Sequence, residues 1–83
     1  MRIHASAFKH EIAEVDIEHA WVNAISYFDI DPDNDPPKSL AIGPDTTGNL
    51  LELLYLQLED DDLIIHAMTL RNVFASFLTG EDQ

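Results

Sequence analysis

Eighty-three residues, 46% of them apolar, are enough for one small domain and too hydrophobic for a disordered chain. Sixteen Asp and Glu against four Lys and Arg give a formal charge of −12, which excludes the broad basic surface of an ordinary nucleic-acid binder. With no cysteine there is neither a disulfide framework nor a thiolate metal site, and no apolar run approaches the roughly 20 residues of a membrane span.

In chain order, Arg2-Ile3-His4 reads either as a short edge strand or as the lead into a short helix capped by Ser6, with Phe8 turned into the core. From Glu14 to Phe28 the residues Ile17, Ala20, Trp21, Ala24, Ile25 and Phe28 recur at helical spacing, and acidic residues in the first turn complement the helix dipole. Residues 29–38, rich in Asp and Pro, predict an exposed acidic loop. Its Asp29-x-Asp31-x-Asp33 spacing is not a calcium loop, because Asn34 and Leu40 stand where the required Gly and Glu would be. Three strands follow, at about 39–43, 50–59 and 62–68. They are joined by the Gly-bearing hairpin Pro44–Asn49 and by the polar turn Glu59–Asp62. The middle strand, with leucine on both faces, predicts neighbours on each edge and a helix over at least one face. A last helix is expected at about 70–79, closed by Gly80, with 81–83 frayed. The expected fold is α+β over residues 1–83. It is a three- to four-stranded antiparallel meander covered by the 14–28 helix, with a short helix before it and another at the C-terminus.

The chain has no phosphate-binding glycine loop, no HExxH and no nucleophile elbow. Its chemistry must come from four histidines, four cations and many carboxylates. His66, which strand alternation places on the same face as Ile64 and Met68, reads either as a half-buried histidine bonded to a neighbour or as a general acid or base close to Arg71. Lys9 and His10 read either as surface polar residues or as part of the same site. His19 is expected on the surface. A metal held by His4, His10, His19 and His66 would need a convergence that their spacing does not predict, so neither a metal nor another cofactor is expected. An N-terminus without the apolar core of a signal peptide fits a cytoplasmic location with no membrane contact.

Three segments, in order, resemble BrnT-type toxins. Lys9-His10-Glu11-Ile12-Ala13-Glu14 is similar to the family's Lys-His-Gly-Val-Ser-x-Glu-Glu entry into a helix. Ala41-Ile42-Gly43 through Gly48-Asn49-Leu50-Leu51-Glu52-Leu53-Leu54-Tyr55 is similar to its Ile-Gly … Gly-x-Leu-Leu-x-Val-x-Tyr hairpin, and Ile64–Met68 to its Ile-Ile-Ser-Ala-Arg strand end. The resemblance implies a RelE-like fold, metal-independent cleavage of RNA, and a neutralising antitoxin encoded nearby. It carries over Lys9 and His10, and Arg71 with a shift of three residues. The chain departs from the pattern at Met68 and Thr69, where paired arginines are expected, at Glu11 for the glycine and at Ala13 for the capping serine. Those losses of positive charge leave a second expectation open: a non-catalytic acidic interaction module that binds a basic partner or pairs as a homodimer.

Overall fold

The computed structural model describes residues 1–79; the expected Gly80 cap and the 81–83 tail lie outside them. Five strands form one sheet: β1 (Arg2–Ile3), β2 (Ser26–Asp31), β3 (Lys38–Pro44), β4 (Leu50–Gln57) and β5 (Asp62–Thr69), in the order β1-β5-β4-β3-β2. A 3-10 turn (Ala5–Phe8) and helix α1 (Glu14–Val22) lie between β1 and β2, and helix α2 (Asn72–Thr79) follows β5. Three strand pairs are antiparallel, but β1 runs parallel to β5, Arg2 opposite Leu63 and Ile3 opposite Ile64. Among the described residues no helix is long and apolar enough to cross a membrane.

The architecture corrects the expected three- to four-stranded antiparallel meander. The fold is α+β, but its sheet is mixed and has five strands. The error lies mainly in residues 23–31, read as the end of a helix and the start of a loop. Helix α1 stops at Val22, where the Asn23 side chain turns back to donate to the His19 carbonyl and competes with further helix. Ser26–Asp31 then alternates, carries aromatic and β-branched side chains, and finds a ladder on β3. Phe28 sat in phase with the helical stripe only because one residue can satisfy both periods. At the start of the chain Arg2–Ile3 is the edge strand. The 3-10 turn is capped by His4, whose Nδ1 accepts the Ser6 N–H, and not by Ser6. Ser6 Oγ instead donates to the Ile65 carbonyl at 2.6 Å, which ties the turn to β5. Phe8 is 38% exposed and not a core residue.

The two faces of the sheet have different roles. Leu51, Leu53 and Tyr55 face α1 with Ala41, Ile64 and Ala67, and close the core with Ile17, Ala20 and Ala7. Leu40 and Ile42 lie on the other face, fully buried, opposite Leu54 and Glu52 in register. A bulge between β4 and β5 separates the pairs Leu54–His66 and Tyr55–Ile64. Ile64 therefore faces α1 while His66 and Met68 face away, which corrects the expectation that all three share a side.

Candidate active site

At the centre of the second face is Glu52, with no solvent exposure, on the middle strand. A carboxylate in such a place needs donors on its oxygens, because desolvation of an unpaired charge costs several kcal/mol. Arg71 supplies most of them. Its backbone N–H donates to Oε1 at 2.9 Å, its Nε bridges both oxygens at 3.2 and 3.0 Å, and its Nη2 donates to Oε2 at 2.7 Å. Arg71 stands in the short link between β5 and α2, so the strand end fixes its backbone while the guanidinium reaches across β5 to β4. The same guanidinium lies 5.5 Å from the Phe74 ring centroid.

His66 completes the set, its Nε2 2.9 Å from Glu52 Oε2. Burial alone would push the Glu52 carboxyl up; the Arg71 and His66 bonds outweigh it and hold the group below the ordinary glutamate value. The carboxylate is therefore ionised and accepts only. His66 Nε2 must carry the hydrogen it shares, which leaves Nδ1 as the basic nitrogen of the neutral ring. Glu52 in turn raises the Arg71 pKa above its already high value.

His10 meets His66 edge-on, ring centroids 5.2 Å apart and planes at 75°. It follows the 3-10 turn that Ser6 fastens to β5, so the N-terminal segment wraps the sheet edge and delivers a second imidazole.

No known protein family, curated protein or solved structure matches this chain.

Of the four residues singled out in the sequence, His66 and Arg71 meet at Glu52, and His10 packs edge-on against His66. Lys9 is exposed, forms no ion pair with a described residue, and closes the 3-10 turn through its backbone N–H. His4 and His19 are elsewhere. His19 is half-buried, not a surface residue, and bonds the Pro44 carbonyl at 2.8 Å. Among the described residues no group of three or more His, Asp or Glu side chains is placed to hold a metal ion.

Glu52 was the residue that sequence reasoning passed over. Its signal was present: one acid within a run of leucines on a central strand must be buried, and a buried acid implies a cation that reaches it.

The cluster combines groups able to move protons and hold negative charge. One imidazole is oriented by a carboxylate, a second lies within a ring's width, and the Arg71 side chain is 48% exposed with Nη1 bonded to no described residue.

Proposed function

We propose that the chain is a metal-independent ribonuclease of the kind the BrnT-type resemblance implies, working in a bacterial cytoplasm and restrained by an antitoxin-like partner. The observation that carries this reading is the meeting of His10 and His66 beside Arg71. In the reaction, His66 Nδ1 removes the proton of an RNA 2′-hydroxyl, and the 2′-oxygen attacks the adjacent phosphorus. The bond to the 5′-oxygen breaks, and His10 protonates that leaving oxygen, which yields a 2′,3′-cyclic phosphate and a free 5′-hydroxyl. Arg71 offsets the charge that develops on the phosphate. Glu52 positions His66 and Arg71 without touching the substrate.

Two details of the entry segment support the resemblance. Glu11, at the family's glycine position, has φ +62°, a conformation that favours glycine. Ala13, at the position of the capping serine, is the N-cap of α1 and offers no side-chain bond there.

One observation favours the second reading, an acidic binding module without catalysis: Glu52 neutralises Arg71, so the site holds little excess positive charge. Expression of the chain alone in bacteria separates the two. Under the proposal the wild type arrests growth and leaves cellular RNA with cyclic-phosphate ends, His66→Ala does neither, and co-expression of the neighbouring gene restores growth. Equal harmlessness of wild type and His66→Ala removes the ribonuclease and leaves the module.

A further inference from the structure

The outer side of α1 is more apolar than a solvated helix face requires. Val15 and Val22 are 61% and 78% exposed, and with Glu18 they form a stripe at i, i+3 and i+7. Beside the stripe a cavity of about 190 Å³ opens between the 3-10 turn and α1, lined by Met1, Ile3, Phe8, Glu14 and Glu18. Its lining is mixed: Met1, Ile3 and Phe8 give it apolar walls on one side, and Glu14 and Glu18 make the other polar. Glu14 and Glu18 stand one helical turn apart at its rim, and neither forms an ion pair with a described residue. The other open feature, the outer edge of β2, is blunted against strand addition by its irregularity between Asp29 and Asp31 and by Pro32.

We infer that this face of α1 binds a basic, amphipathic segment of a partner protein. One Arg or Lys of that segment enters the cavity, its aliphatic stem along Ile3 and Phe8 and its cationic head between Glu14 and Glu18. Apolar side chains on either side of it cover Val15 and Val22. An aromatic wall and two carboxylates suit a long cationic side chain better than any neutral one, since the ring face and the acids attract the same charge. A second copy of this chain is a poor occupant. Each copy carries −12, and of its four Lys and Arg, Arg2 is paired with Asp60 and Arg71 with Glu52. The inference rests on the functional reading only for the existence of a partner, and it is independent of the RNA chemistry.

The test titrates a synthetic helical peptide, leucine on one face flanked by arginine, into the ¹⁵N-labelled full chain. Saturable binding is expected, with amide shifts concentrated in residues 3–8 and 14–22. The double variant Glu14→Lys/Glu18→Lys weakens binding by about tenfold or more. Asp33→Lys/Asp35→Lys, the same change of net charge elsewhere, weakens it by about twofold or less. RNA cleavage is expected to change equally in the two double variants, because each alters the net charge by the same amount, so loss of docking and loss of the ribonuclease are read separately. The inference is overturned if both double variants weaken binding equally, if the peptide with serine in place of leucine binds as tightly, if the shifts fall elsewhere, or if the chain dimerises through this face.

Discussion

A carboxylate without solvent exposure persists at Glu52 because Arg71 and His66 reach it from two sides, so its ionisation is coupled to the stability of the fold. Its folded pKa is depressed. The stabilisation is therefore complete above the ordinary value of 4.5 and is lost as pH falls from there through the folded value. Arg71→Ala reverses the sign. Burial then dominates, the Glu52 pKa rises, and the variant gains stability relative to the wild type as pH falls from 7 to 5. Denaturant midpoints across that range check it. Glu52→Gln, which keeps the shape and removes the charge, costs about 2 kcal/mol at neutral pH by the same measurement. At Glu11 the expectation runs the other way. A side chain in the left-handed region is strained, so Glu11→Gly stabilises by about 0.5–1 kcal/mol, read as a raised Tm. Legibility at this scale divided by chemistry. His66, Arg71 and His10 could be picked out as rare residue types in an acidic chain. Glu52 differed from fifteen other acids only by its place in the leucine run of a central strand, a signal of burial that carries no chemistry by itself.

At the scale of elements, α1 is set on β3 by contact at Gly43, where a Cβ would run into the Ala20 carbonyl and close on Ala24. Neither neighbour is a flexible side chain, so Gly43→Ala must lift the helix. It is expected to cost about 2 kcal/mol and to lower Tm by roughly 10 °C in a thermal melt. The three central strands were legible within a few residues, because leucine runs bounded by a glycine hairpin and an acidic turn leave few alternatives. Residues 23–31 were not. Trp21, Ala24 and Phe28 fit a helical stripe, and only the Asn23 cap and the ladder on β3 decide for a strand. The parallel pairing of β1 and the bulge that turns His66 away from Ile64 depend on distant residues, which local periodicity does not record.

Taken as a whole, the molecule carries a charge of −12 and offers, at the proposed site, one partly exposed arginine already paired with Glu52. Under the proposed ribonuclease reading, an RNA approaching it is repelled at long range and attracted only at Arg71, so salt should act opposite to its effect on basic nucleases. Raising monovalent salt from about 10 to 100 mM shortens the screening length from roughly 30 to 10 Å. The kcat/KM for RNA cleavage is expected to rise over that interval, where a basic nuclease would lose activity. Joint action of His10, His66 and Arg71 on a phosphate is read from the products of a single assay. Purified chain is incubated with a short single-stranded RNA in the presence of a chelator, and the products are compared with those of His10→Ala and His66→Ala. The expected result is a 2′,3′-cyclic phosphate product from the wild type and a loss of about a hundredfold or more in each variant. Cleavage that both variants retain, or none by the wild type, would contradict it.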